Sequence, residues 1–281
     1  MTDLVQAPTT PLTVRDVAVA AAAAAAVEIR EITDVVELED IERLWSATWY
    51  PGTDQTPVTR DMMRAMTHAG AYLGAAFDGP RLVGAGFGFF GTPGNRHLHS
   101  HLAAVTPDAR SRNVGLALKA HQRAWAAKHG ATTITWTFDP LVRRNAHFNV
   151  AKLGAIATEY YTDFYGAMQG INVGQGSDRL LMTWSTQDPV APAAGPLDRP
   201  SGERLLDIDA SGRPVVTRAR ETGAASLVGV PADIEEIRLS DPALARSWRS
   251  AMRDVLGGLL SDGQRVTGFT RDGSYVVEAQ A

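Results

Sequence analysis

A mixed α/β fold with a smaller α+β unit behind it is the class this sequence predicts, and three observations carry the prediction. From residue 27 onward, segments with the two-residue alternation of strands are interleaved with segments of helical spacing. The strand–helix–strand passage from Arg96 to Phe138 is long enough to require a parallel pair with a crossover, whereas Asp78-Gly79-Pro80 between two apolar strands signals an antiparallel hairpin, so the sheet is mixed. A stretch from 188 to 203, with Pro189, Pro192, Pro196 and Pro200, then reads as a linker between residues 27–187 and 204–281.

The elements follow in order. Residues 1–26 read as a low-complexity, disordered tail or a frayed helix, because Ala18 to Val27 is almost pure alanine. That run is not a secretory signal: Arg15 is balanced by Asp3 and Asp16, and the run passes straight into Glu28-Ile-Arg-Glu without a cleavage site, so a cytoplasmic protein is expected. Val27 to Ile32 alternates as a strand, and Leu38, Ile41, Leu44 and Trp45 fall at helical spacing up to the break at Pro51-Gly52. A helix from Thr59 to His68 carries Met62, Met63 and Met66 as core filling. Strands at Tyr72–Phe77, Arg81–Phe90 and Arg96–Val105 precede a helix at Gly115–His129, a strand at Thr132–Phe138 and a helix at Arg143–Leu153 closed by Gly154. Strands at Ile156–Tyr161 and Arg179–Trp184 flank a loop around Gly170 to Gly176. Beyond the linker lie strands near Leu205–Ile208 and Leu227–Val230, an amphipathic helix from Pro242 to Leu260, and strands at Val266–Thr270 and Tyr275–Glu278.

Composition narrows the function classes. The 281 residues are 44% apolar and 21% charged, which excludes a disordered or collagen-like chain. With 27 basic and 31 acidic residues the formal charge is −4, so no bulk field draws the protein to nucleic acid or an anionic membrane, and any anion site must be local. No apolar run approaches the roughly 20 residues that cross a bilayer. The absence of cysteine removes thiolate nucleophiles, disulfides and Cys-ligated zinc.

The most informative segment is Val105-Thr-Pro-Asp-Ala-Arg110-Ser111-Arg112-Asn113-Val114-Gly115-Leu116-Ala117, between a strand and a helix. A turn rich in backbone N–H groups at the positive end of a helix can hold phosphate. Arg110 and Arg112 add charge, Gly115 permits close approach, and Asn113 tolerates a left-handed conformation. The residues alone leave a second reading open, a tight strand-to-helix turn with two solvated arginines.

This stretch resembles the pyrophosphate-binding signature of the GCN5-related N-acyltransferase (GNAT) superfamily, Arg/Gln-x-x-Gly-x-Gly/Ala, and the order of elements over residues 27–187 is similar to that fold. Trp136-Thr-Phe-Asp139-Pro140, Asn145-Ala-His147-Phe148-Asn149, Asp163-Phe164-Tyr165-Gly166 and Asp178-Arg179-Leu180 further resemble a bacterial branch of predicted acyltransferases with a C-terminal extension. The resemblance implies an acyl-CoA site. Backbone amides from Arg110 to Gly115, with Leu116 and Ala117 behind them, hold the pyrophosphate. The strands ending at Val105 and Phe138 splay to grip the pantetheine, the amide near Val105 polarises the thioester carbonyl, and Asn145 and Phe148 border the cofactor. Two positions depart from the pattern. Asn113 replaces the usual first glycine, and Val150 stands where many relatives carry the tyrosine that protonates the departing thiolate; Tyr160 or Tyr161 are the substitutes, or the thiolate leaves unassisted.

His97, His99 and His101 alternate, so a regular strand sets all three on one face together with Ala103 and Val105. His99 sits where some relatives carry a carboxylate that deprotonates the acceptor amine, with His101 beside it, and an imidazole suits that task. The same triplet also reads as metal ligands, but no carboxylate motif completes such a site, or as surface histidines. Trp49 with Trp45 and Tyr50 lies where relatives build the acceptor wall, or in an aromatic core. Asp139 and Tyr165 are candidate readers of an acceptor ammonium, or loop caps. Gly84-x-Gly86-x-Gly88 lies within a strand and has the wrong spacing for a dinucleotide loop; these glycines permit close packing or a bulge.

The expected function is acyl transfer from acetyl-CoA, or from succinyl-CoA with Arg143 or Arg144 pairing its carboxylate, to a small amine such as an amino acid, by direct attack in a ternary complex and without a metal. The alternative is a CoA- or effector-binding module that has lost turnover. The apolar stripe Leu244, Trp248, Met252, Leu256 and Leu260 packs against the first domain or forms a homodimer surface.

Overall fold

A computed structural model describes residues 12–166, 176–188, 195–198, 202–217 and 225–279. Residues 1–11 of the expected tail, most of the expected linker and most of the loop around Gly170 lie outside these.

The alanine run forms a helix. In α1 (Val14–Ala25) the Thr13 hydroxyl accepts from the Asp16 amide while the Asp16 carboxylate accepts from the Thr13 amide, a reciprocal cap, and Ala26 closes the helix in the left-handed region at φ 51°. The expectation of a disordered tail is therefore corrected for residues 12–26. Side chains this small allow close helix–helix approach, and α1 packs on α4 (Val114–Lys128), with Ala25 buried among Val114, Ala117 and Leu118.

Between these two helices come β1 (Glu28–Glu31), α2 (Val35–Trp49), α3 (Arg60–His68), β2 (Tyr72–Asp78), β3 (Arg81–Phe90) and β4 (His97–Val105). After α4 come β5 (Thr133–Phe138), α5 (Arg143–Ala146) running on as a π-helical turn through Lys152, β6 (Ile156–Tyr161) and β7 (Arg179–Ser185). The C-terminal part adds β8 (Glu203–Ile208), β9 (Pro214–Val216), β10 (Ser226–Gly229), α6 (Ile234–Ser240), α7 (Pro242–Met252), a π-helical stretch Arg253–Gly257, α8 (Gly258–Ser261), β11 (Gln264–Phe269) and β12 (Ser274–Ala279). Two of these escaped the sequence pattern. The three-residue β9 is too short to show a period, whereas α6 carried a legible signal in Asp233, whose carboxylate accepts from the Glu235 and Glu236 amides.

The strands among the described residues form one mixed sheet in the order β1-β2-β3-β4-β5-β7-β6-β11-β12-β10-β8-β9. The β2–β3 hairpin turns at Gly79, whose φ of +58° suits glycine, and β4–α4–β5 is the expected parallel crossover. β11 joins β6 at Val266 opposite Ala157, so the C-terminal strands extend the same sheet. The main core crosses this joint: Trp125, Ile134 and Trp136 belong to the same buried cluster as Trp248, Met252, Leu256 and Tyr275. The apolar stripe of the C-terminal helix is thus buried within the chain, with Leu244 packed at its edge. A second cluster under α2 holds Trp45, Ile41, Phe87 and Met63; Met66 packs against it, but Met62 is exposed.

One irregularity positions the site. Along β3–β4, Gly88 pairs with Ser100 and Phe87 with Leu102, which leaves His101 as an extra, bulged residue. A bulge inverts the alternation beyond it. His99 and His101 therefore stay on one side, their rings 6.1 Å apart and both against Phe89, whereas Val105 crosses to pack beside Leu118 on the α4 side. The expectation that Ala103 and Val105 share the histidine face is corrected on this ground.

Gly88 belongs to the same device, since a Cβ there would stand 2.8 Å from the His99 carbonyl oxygen and 3.1 Å from Gln122 Nε2. Gly88→Ala is expected to cost about 1–3 kcal/mol through overpacking. Urea denaturation should show a lower midpoint at an unchanged slope, and an unchanged midpoint would mean that the bulge has slack.

Candidate active site

β4 and β5 pair only over His97–His99 and Thr133–Thr135. Beyond that point β4 follows β3 to Val105 while β5 follows β7 to Phe138, so the two parallel strands separate. A cavity of about 580 Å³ opens at the divergence, bordered by Ser100–Ala103 of β4, Trp136–Asp139, Asn145, Phe148 and Asn149 of the α5 segment, and Trp49 and Tyr50 at the end of α2. Where β4 has lost its β5 partner, the peptide groups on that edge need another partner.

The turn from Ser111 to Leu116 lies at the head of α4. Ser111 and Asn113 both adopt positive φ, 67° and 63°, a conformation Asn tolerates better than most residues. The Asn113 side chain does not cap the helix; its Oδ1 accepts from Lys152 Nζ at 3.0 Å, which leaves the first-turn amides of Val114, Gly115 and Leu116 without a capping side chain. Arg112 is engaged with Asp78 at 2.8 Å, while Arg110 stays exposed. Val114 and Ala117 are buried and Leu116 packs against the core, so only their backbone faces the turn's concavity. A Cβ on Gly115 would meet nothing closer than Phe148 Cζ at 3.7 Å. Packing therefore does not demand glycine at 115, and the open space beside its amide is what a bound phosphate group would use.

The histidines are unequal. His101 borders the cavity, with its pKa lowered by burial alone. His99 is half-buried but does not border the cavity, its Nδ1 lies 3.4 Å from Thr135 Oγ1, and burial followed by His101, His97 and Lys119 lowers its pKa to about 4. Both are neutral near pH 7. Lys119 of α4 is a cavity residue that the sequence reading missed. It donates to Ser100 Oγ at 2.7 Å and lies 4.0 Å from the centre of the Trp136 ring, and burial lowers its pKa to about 7. A lysine on the core face of an amphipathic helix was the available signal.

Because the folded value lies below the ordinary one near 10.4, the unfolded chain holds the extra proton between about pH 7 and pH 10, and stability rises with pH across that window. Lys119→Met is expected to remove this rise. Urea midpoints of wild type and variant at pH 6, 8 and 10 test it, and a pH-independent difference would count against a desolvated lysine.

The other sequence candidates divide. Trp49, Tyr165, Asn145 and Phe148 border the cavity, with Tyr165 Oη 3.4 Å from Thr137 Oγ1. Asp139 borders it too, but both its oxygens are taken by Arg238 and Arg249, so the expected reading of an ammonium group is corrected to a structural ion pair. Tyr161 donates to Glu159 at 2.6 Å, which pushes its pKa up to about 12, and Tyr160 donates to Asp178 at 2.7 Å. Neither borders the cavity, and Val150 is buried in the main core, so the expected proton donors on β6 are corrected: the phenols at the cavity are Tyr50 and Tyr165. Val105 pairs with Gly84 and also stays outside the cavity. Among the described residues no group of three or more His, Cys, Asp or Glu is placed to hold a metal ion.

The C-terminal elements clamp the mouth of the site. Tyr275 Oη donates to the Pro140 carbonyl at 2.8 Å, Arg143 donates to the Arg271 carbonyl at 3.2 Å, and Arg144 pairs with Glu235 of α6.

The two parallel strands thus part over a cavity beside an uncapped helix head. Residues 38–154 match the model of the Acetyltransferase (GNAT) family, and this part of the chain is a GNAT-family domain. Among solved structures, the chain is similar to a GNAT superfamily phosphinothricin acetyltransferase from Sinorhizobium meliloti in complex with acetyl-CoA. That pair shares 16% identity over 59% of this chain and 94% of the other, with a TM-score of 0.47. It is also similar to an N-acetyltransferase from Staphylococcus aureus (14% identity, 57% and 99% coverage, TM-score 0.48) and to a GNAT-family acetyltransferase from Streptococcus pneumoniae (14%, 57% and 99%, TM-score 0.47). No curated protein matches the chain in sequence.

Proposed function

We propose that the protein transfers an acyl group, acetyl by default, from CoA to a small amine by direct attack in a ternary complex. The observation that carries this reading is the separation of β4 from β5 beside the turn at the head of α4. In this reading the amides from Ser111 to Leu116 hold the pyrophosphate, and Phe148 and Asn145 border the thioester arm. The unpaired β4 edge between Ser100 and Ala103, rather than Val105, supplies the N–H that polarises the thioester carbonyl. His101 takes a proton from the acceptor's ammonium so that the neutral amine can attack, since it borders the cavity and keeps a neutral imidazole, whereas His99 does not border the cavity and is too weak a base. Tyr165 is the phenol available to the departing thiolate, and Trp49 walls the acceptor side. Holding amine and thioester in reach of each other supplies much of the remaining acceleration.

A free-thiol release assay tests the reading, with acetyl-CoA and succinyl-CoA offered separately against amino acids and polyamines, alongside calorimetric CoA binding. Acceptor-dependent release is expected. Tight CoA binding without release across the panel would favour a binding module instead, and no CoA binding would overturn both.

A further inference from the structure

The cavity carries more positive charge than its own carboxylates neutralise. Among its arginines, Arg144 is paired with Glu235 and Arg238 with Asp139, and Asp139 is already shared with Arg249. Among the described residues Arg179, at the start of β7, makes no hydrogen bond or ion pair with a carboxylate. Its guanidinium donates to the backbone carbonyl of Asp178 at 2.8 Å and lies 5.1 Å from the centre of the Tyr165 ring. The Asp178 carboxylate next to it is occupied, accepting from Arg253, Tyr160 and the Asp163 amide. Residues 167–175 contain no Asp or Glu. Arg179 is partly buried, so its charge is desolvated; Asp139 nearby favours that charge without bonding it, Arg249 and Arg238 oppose it, and the residue borders the cavity. A guanidinium held in this way wants an anion, and its planar fork fits a carboxylate.

We propose that Arg179 receives a carboxylate of the substrate, carried either by the acceptor amine or by the acyl group, with the Tyr165 ring stacked beside the ion pair. The inference rests on the transferase reading and narrows it to acidic or amino-acid-like substrates. It also separates Arg179 from Arg143 and Arg144, the arginines that the sequence suggested for a succinyl carboxylate: Arg144 is paired with Glu235, and Arg143 donates to a backbone carbonyl of the C-terminal part.

The test is calorimetric titration of the full chain, with and without CoA, against α-amino acids and their carboxamides, and against succinate and succinamide. Thiol release from acetyl-CoA and succinyl-CoA is measured on the same samples. One carboxylate series should bind more tightly than its amides by about 30-fold or more, the scale set by leaving a desolvated charge unpaired. Arg179→Gln should abolish that preference, and Arg179→Lys should retain part of it. A preference in the amino-acid series places the carboxylate on the acceptor, and one in the succinate series places it on the acyl group.

Carboxylates that bind no better than amides, that do not bind at all, or whose preference survives Arg179→Gln would overturn the proposal. The comparison within the wild type needs no variant to fold. Arg179-dependent carboxylate binding without thiol release would keep this site and refute the transferase reading, whereas release that uses carboxamides equally well would do the reverse.

Discussion

Asp139→Ala is expected to destabilise the protein by about 3–5 kcal/mol, the cost of removing one partner from a buried ion pair. The Arg238 and Arg249 side chains are only 8% and 9% exposed and Asp139 only 12%, so neither guanidinium can turn to water when the carboxylate is lost. Burial pushes the Asp139 carboxyl up, but Arg249, Arg238 and the Leu141 amide outweigh it and hold the pKa at about 2. The folded value is below the unfolded one near 3.9, so this contribution is present above about pH 4 and is lost as pH falls toward 2. Denaturant titrations at pH 7, 4 and 3 check both parts. Asp139→Ala should lower the midpoint sharply at pH 7, and Asp139→Asn should weaken the acid-sensitive leg of the wild-type curve. Wild-type stability in Asp139→Ala would mean that the triad is dispensable. Because Asp139 directly follows β5 while its partners lie on α6 and α7, the variant should also loosen the C-terminal part at the cavity mouth.

His101→Gln is expected to lower acceptor-dependent thiol release by about 10²- to 10⁴-fold, the usual contribution of a general base. CoA affinity should stay unchanged, because the turn proposed to hold the pyrophosphate lies at the head of α4 and His101 lies on β4. His99→Gln should cost less, since an imidazole with a pKa of about 4 accepts a proton poorly near neutrality. Burial lowers the His101 pKa from its ordinary 6.5, so the base remains available at mildly acidic pH and the enzyme-side limb of the rate profile should lie below pH 6.5. Single-turnover rates with saturating acetyl-CoA separate the two variants. A full rate in His101→Gln would remove it from the base role.

Much of the fold was legible because its signals are local. The Asp78-Gly79-Pro80 turn, the crossover at α4 and the periodicities of α2 and β2–β3 were all read to within a residue or two of the observed bounds. The turn from Ser111 to Leu116 was legible for the same reason, since Asn113 acts through its own tolerance of a positive φ. The alanine helix was misjudged because its stability lies in the docking of α1 on α4, a contact between segments far apart in sequence.

The sequence by itself determined the class of fold, the position of the turn at the head of α4 and the presence of ionisable groups on β4. Only the tertiary structure decided which of them face the cavity. The bulge at His101 inverted the alternation that had placed Val105 beside the histidines. The C-terminal helices captured Asp139 by two arginines and left Arg179 without an ion-pair partner among the described residues. Periodicity and turn chemistry act over a few residues and can be read along the chain, whereas pairing, burial and pKa depend on neighbours that the sheet brings together from more than a hundred residues away.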